Sequence, residues 1–158
     1  MAINRDEFRA ALGRFASGVT VVTTKDSTGR LHGITVSAFC SLSLEPPLIL
    51  VCIEKSTGSH YAFEQSDSFV VNILREDQQY ISDRFASYLS DKFAGMEYYS
   101  GISDLPVLKD VLANLECRLV NSHDNGDHTI YVGRIERATI REGKPLIYWH
   151  GNYRKLNS

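Results

Sequence analysis

Between His32 and Ile53 the chain reads HGITVSAFCSLSLEPPLILVCI, two strand-like runs joined through small hydroxyl-bearing residues, and this stretch constrains the fold more than any other. Ile34, Val36 and Ala38 alternate with Thr35, Ser37 and Phe39, the period of a half-buried strand. A turn at Glu45-Pro46-Pro47 follows, and the unbroken apolar run over residues 48–53 reads as a strand covered on both faces. Thr35, Ser37 and Ser41 can each donate or accept a hydrogen bond without bringing charge, which suits the polar edge of a flat heterocycle. A hydroxyl-rich edge of an ordinary sheet has the same pattern, so taken alone it does not choose between a ligand wall and a plain strand.

The rest of the chain is punctuated in the same way. A first helix is predicted to start at Asn4 as N-cap, with Glu7 closing a capping box and Ile3 stapled to Phe8. It would present Phe8, Ala11, Leu12, Phe15 and Ala16 on one face and end at Gly18. Residues 19–24 read as a strand that turns through 26–29 and forms a hairpin with the segment above. A short helix near 60–65, a buried strand over 69–74 and a helix over 77–88 follow, the last with Tyr80, Ile81, Phe85 and Tyr88 on one side. Pro106 is placed to open a further helix carrying Leu108, Val111, Leu112 and Leu115, ahead of a strand over 116–121. A polar loop over 123–128, a long strand over 129–140 and a strand over 145–149 complete the chain. Strands at both ends, without strict β-α-β alternation, predict a mainly β fold with peripheral α-helices, an antiparallel barrel in one domain over 1–158.

Composition removes several classes of function. A formal net charge of −2 leaves no broad basic surface for nucleic acid. The first residues lack the apolar core of a signal peptide, and the longest apolar run falls far short of the ~20 residues that span a bilayer. A cytoplasmic protein with no membrane association is expected. Cys40, Cys52 and Cys117 are widely spaced in apolar strand patterns and are expected to be buried free thiols. His123, His128, Asp124 and Asp127 have no metal-site spacing, and a polar turn explains them. Gly-x-Ser-x-Gly, Gly-x-Gly-x-x-Gly and Walker sequences are all missing, so any nucleotide must bind without Rossmann or P-loop geometry.

Three constellations remain that could meet a ligand. Lys55, Ser56, Thr57, Gly58 and Ser59 could converge on a phosphate, or simply cap the next helix. Arg84 could add a second cation to that phosphate, or be an exposed helical arginine. His128, beside Asp127, could hydrogen-bond a carboxamide, or be a hairpin histidine with no such role.

The ordered set FASGVTVVTT, HGITVSAFCSLSLEPPLILVCI, FVVNIL, Asp91-Lys92-Phe93, Gly126-Asp127-His128-Thr129 and PLIY resembles the short-chain flavin reductases that supply reduced flavin to two-component monooxygenases. The resemblance covers nearly the whole chain and implies an antiparallel Greek-key split β-barrel of the FMN-binding type. It implies that Thr35, Val36, Ser37, Ala38 and Ser41 border an isoalloxazine ring. Cys52, Lys55, Ser56 and Thr57 would wrap its ribityl phosphate, and Arg84 and Phe85 would add phosphate contacts. His128 and, more distantly, Tyr148 would meet the nicotinamide. FMN or FAD, NADH or NADPH as co-substrate, a homodimer and a monooxygenase receiving reduced flavin, with diffusion as a route to it, all follow from the same resemblance. Hydride transfer needs no side-chain acid or base, so no catalytic residue is expected. The alternatives are reduction of a ferric chelate or corrinoid on the same fold, and a non-catalytic flavin-binding module.

Overall fold

A computed structural model describes residues 2–157. The chain begins with α1 (Arg5–Leu12), β1 (Ser17–Gly18), β2 (Thr20–Lys25), β3 (Leu31–Val36), β4 (Phe39–Ser43) and β5 (Leu48–Glu54). It continues through α2 (His60–Gln65), β6 (Ser68–Ile73), α3 (Gln79–Phe85), β7 (Tyr98–Ser100) and β8 (Pro106–Leu108). Two long strands, β9 (Ala113–Asn125) and β10 (His128–Ile140), precede the short β11 (Ile147–Trp149) and β12 (Asn152–Arg154). Among the described residues no helix is long and apolar enough to cross a membrane.

Seven strands form one sheet in the order β3-β2-β6-β9-β10-β5-β4, every neighbouring pair antiparallel. The two edge strands, β3 and β4, are consecutive in the chain, with only Ser37 and Ala38 between them. Three Cα steps span at most about 11 Å. The sheet therefore curls until its first and last strands meet at that corner. Its hydrogen-bonded ladder stops at β3 and β4, so the barrel is split rather than laced shut, and the mainly β, antiparallel expectation holds.

Strand β2 is buried on both faces because alternate residues feed different clusters. Val22 joins Val36, Val51, Ile53, Phe69, Val71 and Tyr131 on one face of the sheet. Val19 and Val21 join Leu74, Ile81, Phe85, Phe93 and Leu146 on the other, under α3. Each such side chain contributes about 1.5–3 kcal/mol by leaving water. Asn72 is buried in the middle and fully used: Nδ2 donates to Val21 O at 2.8 Å, and Oδ1 accepts from Leu108 N and Asn114 Nδ2.

Several sequence expectations need correction. The capping box at Asn4 and Glu7 forms, but α1 ends at Leu12 with Gly13 as C-cap, not at Gly18. Ser17 and Gly18 are instead captured by β11, opposite Tyr148 and Ile147. The helix over 77–88 shortens to 79–85, with Ile81 and Phe85 inward and Tyr80 and Tyr88 exposed. No helix starts at Pro106: residues 106–108 are β8, paired with β7, and Asp110 at φ 58° turns the chain into β9. A buried strand followed by a sharp turn happened to space its apolar residues as a helix would. The polar loop over 123–128 shrinks to the turn Gly126-Asp127, because β9 and β10 continue to Asn125 and from His128. Gly126 supplies the positive φ, 60°, that so tight a turn requires. Of the three thiols only Cys117 is buried; Cys52 is half-buried and Cys40 exposed.

Candidate functional site

A cavity of about 570 Å³ opens between β3, the loop after β5, and the segment after α3. Its β3 wall comes from Arg30 to Thr35, its opposite lip from Glu54 and Ser56 to Ser59, and its cover from Phe85 to Ser90 with Lys92 and Phe93. Gly33 sets the depth of the wall. A Cβ there would sit 2.6 Å from two carbons of the Phe85 ring, so α3 can press on β3 only across a bare backbone. Thr35 Oγ1 donates to Ser82 O at 2.6 Å and ties the same strand to the same helix.

Arg84 and Lys92 divide the work beside this cavity in a way the sequence did not reveal. Arg84 Nε donates to Lys92 O, and its Nη2 donates to Ala94 O and Asp91 O, at 2.6 to 3.3 Å. The guanidinium is thus committed to folding the loop after α3 and is not in the cavity lining. Lys92, which that loop presents, does line the cavity, with Nζ donating to Gly33 O at 3.2 Å and Phe85 O at 2.9 Å. Burial lowers its pKa from the ordinary lysine value. Asp91-Lys92-Phe93 stood out in the sequence, but nothing there marked the ammonium as a cation of the cavity.

On the opposite lip, Ser56 Oγ donates to Glu54 Oε1 and Thr57 Oγ1 to Glu54 O, folding the loop tightly against β5. Lys55 points away from this lining, with Nζ 3.9 Å from Asp124 Oδ1, and its backbone N–H donates to Asp127 O at 2.8 Å. His128 follows directly, paired in register with Glu54, and its Nδ1 lies 2.7 Å from Asp127 Oδ1. That hydrogen bond is the main reason the Asp127 carboxyl is held below its usual range. Behind the loop a polar chain runs from Asp124 through Thr129 and His60 to Tyr131 and Glu64. Burial, then the Glu64 carboxylate, push the Tyr131 phenol well above its ordinary value.

A second polar cluster braces the β2–β3 turn. Asp26 Oδ2 lies 3.1 Å from His32 Nε2 and accepts from Tyr61 OH at 3.1 Å, which joins the turn to α2. The hydroxyl of Thr28 is the main cause that holds the Asp26 carboxyl far below the carboxylate range. His32 and Tyr61 both line the cavity, and sequence reading had singled out neither.

The sequence-predicted residues therefore fall into groups. Thr35, Ser56, Thr57 and Phe85 line the cavity. Val36 turns its side chain into the core, while Ser37, Ala38 and Ser41 stand exposed at the β3–β4 corner and along β4. Cys52 is half-buried on β5, its N–H bonded to Ala38 O. Tyr148 lies outside the cavity lining in β11, ring edge against Tyr153, whose hydroxyl reaches Ser82 Oγ at 2.6 Å.

The model of the flavin reductase like domain matches residues 12–157, and the chain belongs to that family. It is 42% identical over 153 residues to the flavin-dependent monooxygenase reductase subunit HsaB of Rhodococcus jostii, covering 96% of this chain and 78% of that one. It is 40% identical over 154 residues to the FMN reductase (NADH) SmoA of Agrobacterium fabrum, covering 98% and 87%. Among solved structures it resembles the NADH:FAD oxidoreductase SgcE6 of Streptomyces globisporus in complex with NAD and FAD fragments, with a TM-score of 0.92, 31% identity, and 98% and 93% of the two chains covered.

Proposed function

We propose that this chain is an NADH-dependent flavin reductase that passes reduced flavin to a flavin-dependent monooxygenase. The observation that carries the reading is the cavity itself, where a half-buried ammonium, a hydroxyl-rich loop and a bare strand backbone converge in a volume suited to a small cofactor. Lys92 meets the phosphate with its remaining donor direction. Ser56 and Thr57 with their backbone close the phosphate side, and the flat wall at Gly33 to Thr35 continues into the exposed corner Ser37 to Ser41. Bound flavin supplies the hydride acceptor, and the nicotinamide supplies the hydride. The protein's own contribution is to bind, orient and exclude water, with His128 positioning the nicotinamide rather than moving a proton. We assign Cys52, Lys55, Arg84 and Tyr148 no more than supporting places around this site.

The exposed corner is completed by a second copy of the chain. Phe8 and Leu12 of α1 with Phe15 just beyond it, and Leu42 of β4 with Leu44 just beyond it, stand apolar in water, Phe15 at 81% and Leu44 at 92% exposure. An exposed, unbridged Cys40 and the use of NADH fit a cytoplasmic enzyme.

Anaerobic mixing of the protein and FMN or FAD with NADH, followed at the flavin absorbance, tests the reading. Rapid bleaching over a protein-free control is expected, and flavin that binds yet stays oxidised would reduce the chain to a flavin-binding module. A His128→Ala variant should raise the NADH half-saturation while leaving flavin affinity close to that of the parent. An unchanged half-saturation and rate would remove the positioning role.

A further inference from the structure

Thr35 lines the cavity, and its hydroxyl proton is already spent, because Oγ1 donates to Ser82 O at 2.6 Å. A hydroxyl so committed has only lone pairs left to offer, so toward the cavity it accepts and does not donate. Ser82 is itself fully buried, and its Oγ lies 2.6 Å from the hydroxyl of Tyr153 on β12. We propose that Tyr153 is a positioning residue for the flavin wall: through Ser82 it holds Thr35 as an acceptor-only group, which selects a ring edge that presents an N–H. The inference rests on the flavin reading of the cavity.

Helix α3 meets β3 at two points. At Gly33 the Phe85 ring lies against bare backbone, and at Thr35 the Ser82 carbonyl takes the hydroxyl. The first contact is apolar and has no preferred direction. The second has one, since a hydrogen bond weakens steeply as it leaves the line of its donor, and it holds only while Ser82 stays in place. The brace on Ser82 comes from β12, where the Tyr153 ring packs against the cluster that contains Ile81 and Phe85. A phenylalanine would meet that packing, but only the hydroxyl reaches Ser82. Burial above all, with the Asp83 carboxylate, pushes the Tyr153 phenol up from its ordinary value, so the hydroxyl keeps its proton through the neutral range.

The polarity fits one part of a flavin and not the rest. An isoalloxazine carries an N–H at N3 in both oxidation states and gains another at N5 on reduction, whereas its carbonyl oxygens and its oxidised N5 only accept. An acceptor-only Thr35 is matched to either N–H. Ser82 O also accepts from Ala86 N at 3.0 Å, so Thr35→Val removes the acceptor without orphaning the carbonyl behind it.

Binding titrations of the full chain test this with three probes: oxidised FMN, oxidised FMN methylated at N3, and FMN reduced anaerobically. Thr35→Val should weaken reduced FMN about three- to tenfold, the worth of one hydrogen bond, and Tyr153→Phe should give a smaller loss with the same dependence on probe. If the donor is N3–H, oxidised and reduced FMN lose alike and the methylated flavin loses nothing; if it is N5–H, only reduced FMN loses. In both cases Tyr153→Phe should add nothing once Thr35 is replaced by valine, whereas its effect should persist beside Thr35→Ser, which keeps the hydroxyl. Should Tyr153→Phe fail to fold, Ser82→Ala breaks the same bond and carries the same expectations. Equal losses on all three probes, no loss on any, or a Tyr153 effect that survives Thr35→Val would overturn the positioning role and leave the flavin reading standing. A wild type that binds none of the probes would overturn both.

Discussion

The cavity wall and the exposed apolar helix α1 are built on opposite principles. Around the cavity, Gly33 admits Phe85, Thr35 bonds α3, Arg84 folds the following loop and Lys92 returns to the backbone of β3, all within one chain. By contrast, α1 buries none of its residues, although its capping box is complete and one face is apolar. An eight-residue helix is marginal in water without packing. One region is finished by the chain itself, and the other waits for a surface to cover it.

The largest effect is expected from disturbing the finished region. Gly33→Ala forces the Phe85 ring away from β3, an overpacking that costs about 1–3 kcal/mol or more, and the flavin affinity should fall with it. Chemical denaturation and flavin titration read both, and a variant as stable as the parent would show that the wall is softer than its contacts imply. The unfinished region should respond in the opposite manner. Phe8→Asp with Phe15→Asp should convert a dimer to a monomer in light-scattering chromatography while each subunit stays folded. A parent that is already monomeric would end the contrast between the two regions.

A subtler test separates Lys92 from Arg84. Lys92→Met should weaken FMN about tenfold and riboflavin, which lacks the phosphate, far less. The pH dependence has a definite sign. Anion binding needs the ammonium, whose pKa is lowered by burial, so FMN affinity should fall as pH rises and begin to fall below the pH at which an ordinary lysine loses its proton. Affinity that stays flat up to the ordinary lysine range would count against the assignment.

Much of the scaffold was legible in the sequence because it is written in short-range signals. The β2–β3 hairpin, the helix at 60–65, the buried β6 and the capping box of α1 all follow from local periodicity and cap residues. What failed depended on remote partners. The residues after Pro106 have helical spacing, yet Asn72 and Asn114 take the backbone groups of Leu108 and hold it as strand. The site was legible as a set of residue types but not as a set of roles. An arginine in the last turn of a helix and a lysine in the loop beyond look equally able to meet a phosphate. Only the path of the loop decides that one is spent on carbonyls and the other faces the cavity.

Smaller effects probe the thiols and the polar chain. Cys40 should react promptly with a thiol reagent and Cys52, whose thiol burial pushes up, more slowly. Cys117, pushed up to about 12 by its burial, should react only on unfolding, and prompt modification of two thiols in the native protein would contradict this order. Tyr131→Phe removes the hydroxyl held by Glu64 and should cost about 1 kcal/mol, measured by denaturation. The phenol's raised pKa adds stability that is fully present below pH 10 and fades as pH rises toward the folded-state value, so the deficit should shrink in strong alkali.

The backbone bond from Lys55 N–H to Asp127 O fastens the loop after β5 to the turn that bears His128. Together with the side-chain relay from Asp124 to Glu64, it makes these two segments a single lintel over adjoining doorways. On the proposed assignment, changes at residues 123–127 that disturb this bond or relay should alter flavin retention as well as donor use, whereas His128→Ala, whose side chain is in neither, should not. Libraries that vary the loop and the turn together should reach new donor preferences that neither segment reaches when changed alone.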